Sequence, residues 1–231
     1  MGEPLLLLPG MMCDARLFGP QDEAFAGRLE IIHGAIDGFD TVEALAAHLL
    51  QTLPPRFALA GLSMGGIVAM ELMAQAPKRV SRLCLMDTNP LAETDAVKAS
   101  REPQIQKAKN GLLHSVMRDE MKPRYLTDGP KREEILDLCM EMAMDLGPDV
   151  FVRQSRALQT RRDQCETLKG VKVPTLILCG ADDSLCPPER HQLMQSHIAG
   201  SKLAVVEGAG HLPVLENPTV TNQLLKLWMA G

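Results

Sequence analysis

A serine stands at the centre of the segment GLSMGG, which occupies residues 61–66. The segment follows an apolar run that predicts a strand and precedes a pattern that predicts a helix, so Ser63 is placed on a strand-to-helix turn. Such a turn exposes the serine oxygen, and its strained backbone needs the glycines two positions before and after it. The spacing alone is also typical of an ordinary glycine-rich turn. The flanking elements favour a nucleophile.

A serine hydroxyl becomes a nucleophile when an oriented histidine accepts its proton. His211 meets this requirement, because it lies in the glycine-rich segment GAGHLP at 208–213, after the last predicted strand. A carboxylate is expected in the loop GADDSLCP at 180–187, which offers both Asp182 and Asp183. The other histidines are predicted to be structural or exposed: His33 at a strand end, His48 on a polar helix side, His114 in a helical insertion, and His191 and His197 on a surface-like helix.

Short apolar runs that alternate with helical patterns must position these residues. The alternation is typical of βαβ units, and runs that are apolar nearly throughout predict strands covered on both faces. Both features favour a parallel sheet. The predicted strands cover residues 5–8, 29–32, 57–60, 80–86, 174–179 and 202–206.

The segment 89–167 interrupts this alternation with amphipathic stretches and no convincing strand. Its prolines predict about four short helices. We expect a helical lid over the site and a core domain made of residues 1–88 and 168–231. The lid methionines predict either an apolar pocket lining or helix packing. They are Met117, Met121, Met140, Met142 and Met144.

The chain has one basic concentration, close to the point where the predicted lid returns to the sheet. It consists of Arg153, Arg156, Arg161 and Arg162. Guanidinium groups bind carboxylates through paired hydrogen bonds, so this group could hold an acidic substrate. The alternative is a solvated helix face or a complement to the helix dipole.

The motifs at 61–66, 180–187 and 208–211 together resemble the α/β-hydrolase superfamily, over nearly the whole chain. The resemblance implies an α/β fold with a trimmed, mostly parallel six-stranded sheet, helices on both faces and a helical lid. Many relatives begin with two more antiparallel strands, for which we expect no room before residue 5. In that family the acid usually stands three residues after the loop glycine and four before a proline. This favours Asp183 over Asp182, with Asp87 as the reserve candidate.

The resemblance also implies an oxyanion hole built from two backbone N–H groups. In this chain they belong to Met64, after the serine, and Met11, in the loop after the first strand. Many relatives have His-Gly where this chain has Pro9 and Gly10. Gly10 and Met12 are expected to contact the substrate.

Composition and charge limit the possible partners. The chain has 45% apolar and 23% charged residues and a formal net charge of −5, with no basic stripe, which disfavours nucleic acid. No apolar run approaches the ~20 residues of a membrane span, and no signal-peptide leader is recognised. Six cysteines without a C-x-x-C pair favour a reducing compartment. We therefore expect a cytoplasmic protein that does not bind membranes.

The sequence thus predicts a serine hydrolase that cleaves a small ester or thioester through an acyl-enzyme intermediate. Ser63 would attack, His211 would transfer the proton and Asp183 would orient His211, with no cofactor or metal. The substrate is expected to be a small molecule with an apolar group, and a homodimer is possible. Two alternatives stay open: C–C bond hydrolysis or a lyase or transferase reaction with the same triad, and a ligand receptor with a residual triad.

Overall fold

A computed structural model describes residues 3–231, so the first two residues of the predicted 1–88 segment lie outside it. At its centre is one six-stranded sheet with the strand order β2-β1-β3-β4-β5-β6, and all neighbouring pairs are parallel. The strands are β1 (Leu5–Leu8), β2 (Ile31–His33), β3 (Phe57–Leu62), β4 (Val80–Met86), β5 (Thr175–Gly180) and β6 (Lys202–Val206). The predicted six-stranded parallel sheet is confirmed.

Helices cover both faces of the sheet. They are α1 (Gly19–Phe25), α2 (Val42–Thr52), α3 (Met64–Gln75), α4 (Asp95–Lys107), α5 (Leu113–Ser115), α6 (Arg132–Thr160), α7 (Cys165–Lys169), α8 (Pro188–His197), α9 (Pro213–Glu216) and α10 (Pro218–Ala230). None of the helices within residues 3–231 is long and apolar enough to cross a membrane.

Strand β1 illustrates how the apolar runs build two cores. Its side chains are fully buried, and they alternate between the faces of the sheet. Leu6 and Leu8 pack with apolar residues of α2 and α3, whereas Leu5 and Leu7 pack with those of α1 and α10 on the opposite face. A central strand therefore needs an apolar residue at every position.

The edge strands differ from the sequence prediction. Strand β6 was expected to be covered on both faces, but Lys202 is exposed and Val205 is 43% exposed. The reason is its position, because β6 is the last strand of the sheet and has a neighbour on one side only. At the other edge, β2 begins two residues later than predicted.

The chain between β4 and β5 is helical, as expected, but its prolines do not divide it into four short helices. Pro103 lies inside α4, and α6 runs through 29 residues with a single break at Gly147, whose φ is 79°. Pro148 follows this break, where a missing backbone N–H is tolerated as at a helix start. Helix α7 crosses the predicted boundary at 167, so the division into core and lid stays a prediction.

Candidate active site

Ser63 occupies the turn between β3 and α3 with a strained backbone, at φ 55° and ψ −115°. Strand β4 and the loop after it hold this turn: the Ser63 N–H donates to the Met86 carbonyl at 2.9 Å, and Thr88 Oγ1 donates to the Ser63 carbonyl at 2.7 Å. A non-glycine residue with positive φ is costly and persists only where its surroundings enforce it. These contacts supply that enforcement.

Close packing explains the two glycines around Ser63. A Cβ on Gly61 would lie 2.3 Å from the Gly65 carbonyl oxygen, and a Cβ on Gly65 would lie 2.1 Å from the Leu8 carbonyl oxygen. Both neighbours are backbone atoms, which move only with their strand or helix. The glycine spacing that singled out Ser63 therefore reflects the close approach of α3 to β1 and β3.

His211 and Asp183 meet Ser63 at the carboxyl edge of the sheet. His211 Nε2 lies 2.9 Å from Ser63 Oγ, and His211 Nδ1 lies 2.8 Å from Asp183 Oδ2. Asp183 follows β5, and His211 follows β6 in the loop before α9. The structure thus brings together the three side chains predicted to form a triad, and it leaves Asp182 exposed on the surface.

The environment of Asp183 favours its ionised form. Burial by itself raises the pKa of this carboxyl, but the hydrogen bond with His211 and those from the backbone N–H groups of Cys186 and Leu185 outweigh burial. The pKa therefore lies below its usual value. An ionised Asp183 holds the imidazole with Nδ1 protonated and Nε2 free to accept the Ser63 proton.

Asp87, the reserve acid, occupies a different position. It is fully buried, has φ 44°, and its Oδ1 accepts the Gly180 N–H at 2.8 Å. Burial and the neighbouring Asp183 raise its pKa well above the usual value. These surroundings favour the protonated form of Asp87, and Asp87 makes no hydrogen bond to His211.

The His211 loop is fastened to the helical segment above the sheet. The His211 N–H donates to the Tyr125 carbonyl at 2.7 Å, and the Tyr125 ring stands edge-on to the imidazole with centroids 5.5 Å apart. Glu216 also links the His211 loop to the helical segment, because its carboxylate accepts hydrogen bonds from the N–H groups of Thr127, Gly210 and Leu212. His211 is thus held from both sides.

Both residues predicted to supply the oxyanion donors line the same cavity as Ser63. Met64 is the first residue of α3, where a backbone N–H has no partner within the helix. Met11 also lines the cavity, and within the described residues its N–H donates no hydrogen bond. These groups could bind an oxygen that gains negative charge next to Ser63.

The two expected substrate contacts are placed differently. Met12 is fully buried among core residues, and its N–H donates to Gln154 Oε1 at 2.8 Å, so it lies away from the cavity. Its positive φ of 56° turns the side chain into the core next to Met11. Gly10 packs beneath Ser63, where a Cβ would lie 3.5 Å from the serine Cβ, and it lies outside the cavity lining.

His191 is a site residue that the sequence analysis missed. It was expected on a surface-like helix, but it is fully buried, and its Nε2 accepts the Thr88 N–H at 3.2 Å. Burial lowers its pKa to about 4, which keeps the ring neutral and able to accept this bond. Since Thr88 holds the Ser63 carbonyl, His191 supports the serine turn from behind. Its helical spacing carries no signal of this role.

A cavity of 490 Å³ opens above Ser63 and His211. Apolar side chains line part of it, and the rest is lined by neutral polar residues together with four arginines and two glutamates. The apolar ones include Met11, Met64, Ile67, Leu91, Val97, Met121, Leu158 and Leu185; the charged ones are Arg101, Arg124, Arg161, Arg190, Glu93 and Glu120. Of the lid methionines, Met121 lines this cavity, whereas Met117 and Met142 are core residues and Met140 and Met144 lie at a separate surface depression.

The predicted arginine group separates in the structure. Arg153 donates to the Asp37 carbonyl, Arg156 pairs with Glu102, and Arg162 pairs with Glu71. Among the four, Arg161 lines the cavity, where it lies 3.5 Å from Glu93. The group therefore does not act as one carboxylate site.

Asp183, Cys186 and His211 are the described residues whose ligand atoms cluster as a metal site requires, within 4.8 Å of one another. Both His211 ring nitrogens are engaged in hydrogen bonds, and burial raises the pKa of the Cys186 thiol well above its usual value. These groups could bind a cation only by giving up those hydrogen bonds and the thiol proton.

Comparisons with known proteins agree with this architecture. A family model described as the alpha/beta hydrolase family matches residues 7–224. A pimeloyl-[acyl-carrier protein] methyl ester esterase of Legionella pneumophila is 27% identical, with 94% of this chain and 90% of the relative covered. The corresponding esterase of Neisseria meningitidis is 25% identical, with 82% and 76% covered.

A solved thermophilic esterase from Thermogutta terrifontis superposes with a TM-score of 0.89 at 27% identity, covering all of this chain and 90% of that one. That structure has malate bound. The match of the family model over most of the chain agrees with the parallel sheet and the strained serine turn. The chain therefore belongs to the alpha/beta hydrolase family, and it is an enzyme of the esterase-like kind.

Proposed function

We propose that the protein is a serine esterase that cleaves a small acyl ester or thioester through an acyl-enzyme intermediate. One observation carries the proposal: Ser63 Oγ lies 2.9 Å from His211 Nε2, and His211 Nδ1 lies 2.8 Å from Asp183 Oδ2, at the floor of an open cavity. This arrangement provides a nucleophile, its base and the group that orients the base.

The proposed reaction proceeds in two halves. Ser63 Oγ attacks the carbonyl carbon while His211 Nε2 accepts its proton, and the N–H groups of Met64 and Met11 bind the oxyanion. When the intermediate collapses, the leaving alcohol or thiol takes the proton from His211 and the acyl group stays on Ser63. Water then attacks by the same route and releases the acid.

The cavity lining supports an acyl chain that ends in a carboxylate. Glu93 pairs with both Arg101 and Arg161, and Glu120 pairs with Lys107 outside the cavity lining. Arg124 and Arg190 also line the cavity, and within the described residues no carboxylate pairs with either. An anionic group would balance them, and the apolar residues would contact the chain between it and the ester.

The relatives suggest which esters to examine first. The Legionella and Neisseria proteins are named for the methyl ester of a pimeloyl group on acyl-carrier protein. Methyl esters of acyl chains that carry a second carboxyl function are therefore the proposed substrate class.

Labelling with a fluorophosphonate tests the nucleophile. We expect one covalent adduct per wild-type chain by intact mass, and no adduct on Ser63→Ala. Ser100→Ala is the matched control, because Ser100 lines the same cavity without a histidine partner. An adduct on folded Ser63→Ala, or one that disappears in Ser100→Ala, would contradict the assignment.

Turnover tests the reaction class. Monomethyl esters of dicarboxylic acids should yield methanol and the diacid with wild type, and no product above the uncatalysed rate with Ser63→Ala. A labelled Ser63 without hydrolysis of esters or thioesters would contradict the esterase proposal and favour C–C bond cleavage, a lyase or transferase reaction, or a ligand receptor.

A further inference from the structure

A buried glutamine of α6 binds the loop that carries Met11. Gln154 is fully buried, its Oε1 accepts the Met12 N–H at 2.8 Å, and its Nε2 donates to the Ile36 carbonyl at 3.0 Å. Both partners are backbone groups, so which one donates and which one accepts is fixed. A side-chain amide can satisfy one donor and one acceptor at once. Gln154 therefore joins three segments that are far apart in the sequence.

The Met11 loop, residues 9–13, contains a tight turn with a strained residue. The Cys13 N–H donates to the Gly10 carbonyl at 3.2 Å and closes the turn, and Met12, its third residue, has φ 56°. Positive φ at this position belongs to a type II turn, which prefers glycine or asparagine there. A methionine keeps such a backbone only where its surroundings enforce it. The hydrogen bond to Gln154 is a contact of that kind.

The Met11 loop is held at two points, and Met11 lies between them. Its first part packs against α3, because a Cβ on Gly65 would lie 2.6 Å from the Pro9 carbonyl oxygen. Its turn is held by Gln154 through the Met12 N–H. Met11 lines the cavity, and its N–H donates no hydrogen bond within the described part of the chain. A rotation of the turn would therefore redirect this N–H.

The other end of the Gln154 amide is anchored on the segment after β2. This segment contains Ile36, which accepts from Gln154, and Asp37, whose carbonyl accepts from Arg153 Nε at 2.8 Å. Two adjacent side chains of α6 thus bind the same segment. Gln154 also binds the Met11 loop, whereas the hydrogen bond of Arg153 goes to Asp37. This difference separates the two contacts of Gln154 in an experiment.

We propose that Gln154 is a positioning residue for the candidate oxyanion hole, where its hydrogen bond to Met12 fixes the turn that presents the Met11 N–H. The inference rests on the proposed function, because an oxyanion forms only if Ser63 attacks a carbonyl carbon. The oxygen gains its charge in the transition state, so a displaced donor destabilises that state more than it weakens ester binding. Gln154 acts through the turn and does not touch the substrate.

Turnover of a monomethyl dicarboxylate tests the contact to Met12. Gln154→Met keeps the length of the side chain and removes both hydrogen bonds. We expect kcat to fall about 10- to 100-fold, somewhat less than when an oxyanion donor is removed outright, and KM to stay within about twofold. A change in KM alone would contradict the proposal, because it would indicate an effect on binding.

Arg153→Met is the matched control. It removes the neighbouring hydrogen bond to the segment after β2 and leaves the contact between Gln154 and Met12 in place. Its kcat should stay within about twofold of wild type. An equal fall of kcat in Arg153→Met and Gln154→Met would overturn the proposal, because it would show that attachment of α6 to that segment is what matters.

Fluorophosphonate labelling measures the same effect without an ester. The phosphoryl oxygen of the probe takes the place of the oxyanion when Ser63 attacks phosphorus, so the labelling rate of Gln154→Met should fall together with kcat. A wild type that neither labels nor hydrolyses esters contradicts the proposed function itself. A labelled wild type and a folded Gln154→Met with wild-type rates overturn the inference about Gln154 alone.

Gln154→Glu decides the question if Gln154→Met does not fold. A carboxyl group keeps an oxygen for the Met12 N–H, and burial favours its protonated form, which also donates to the Ile36 carbonyl. Labelling rate and kcat should therefore stay within about threefold of wild type. Thermal unfolding checks the fold of each variant. A tenfold or greater loss in folded Gln154→Glu would overturn the proposal, because the acceptor for Met12 is still present.

Discussion

At the residue scale, the site contains two buried carboxyl groups whose surroundings shift their pKa values in opposite directions. Asp183 receives hydrogen bonds from His211 and two backbone N–H groups, whereas Asp87 receives one from Gly180 and faces the charge of Asp183. Two carboxylates at close range repel each other, so ionising both is costly. The negative charge is favoured on Asp183, which accepts more hydrogen bonds. Position at a strand end did not separate these candidates, because both aspartates follow strands.

Asparagine substitutions should distinguish the two roles. Asp183→Asn removes the charge that orients His211 and should lower kcat by about 10³- to 10⁴-fold. Asp87→Asn keeps the shape of a carboxyl group whose protonated form burial favours, and it should leave kcat close to that of wild type. Steady-state kinetics on a monomethyl ester, with thermal melts of both variants, measure this. A comparable loss of kcat in folded Asp87→Asn would contradict the assignment.

His191 should make stability depend on pH. Its pKa is about 4 in the native state and near 6.5 in an unfolded chain, so between these values the unfolded state binds the extra proton. The contribution of neutral His191 to the free energy of unfolding is therefore fully present above about pH 6.5. It declines as pH falls, by about 2 kcal/mol between pH 7 and pH 5. Urea unfolding of wild type and His191→Gln checks this. The free energy of unfolding of the variant should lack that part of the decline. If it depends on pH as steeply as that of wild type, His191 is not the source.

At the element scale, the agreement between sequence and structure follows the burial of each strand. Strands β1 and β4 match the predicted bounds, because a strand covered on both faces is apolar throughout. Strand β2 has partly exposed residues and weaker patterning, and its predicted start was two residues early. The helical segment could be recognised, but its helix lengths could not, because a proline after a break at glycine looks like a helix end.

The contact between α3 and β1 gives a prediction at this scale. Gly65→Ala places a Cβ against the Leu8 carbonyl, and relieving that contact must move β1 and the Met11 loop. We expect a loss of about 1–3 kcal/mol in stability together with a fall in kcat. Gly38→Ala is the control, because a Cβ there meets nothing within 4 Å. Thermal unfolding and kinetics of both variants check the prediction, and a Gly65→Ala protein equal to the control would refute it.

At the scale of the whole molecule, the cavity and the chain carry charges of opposite sign. The chain carries a formal net charge of −5, yet the cavity lining contains four arginines and two glutamates. The overall balance disfavoured nucleic acid as a partner, and three of the four arginines clustered in the sequence bind groups outside the cavity. The arginines that do line the cavity come from separated segments, so sequence spacing could not reveal them.

Arg190 should select for acidic esters. Arg190→Met removes an unpaired guanidinium while keeping an apolar stem, so KM for a monomethyl dicarboxylate should rise about tenfold, the loss expected for a charged hydrogen bond. KM for the neutral dimethyl ester should change little. Added salt should weaken the difference between the esters in wild type. An equal rise in KM for both esters would indicate a general packing defect instead.

The bond from the His211 N–H to the Tyr125 carbonyl limits how the enzyme can be rebuilt. An engineer who exchanges the helical segment between β4 and β5 to alter substrate preference also removes the backbone acceptor that holds His211. Any segment that replaces it must place a backbone carbonyl where the Tyr125 carbonyl lies, whatever its side chains are. Variation in preference is therefore easiest in residues facing the cavity from α4, and hardest in the turn that ends at Tyr125.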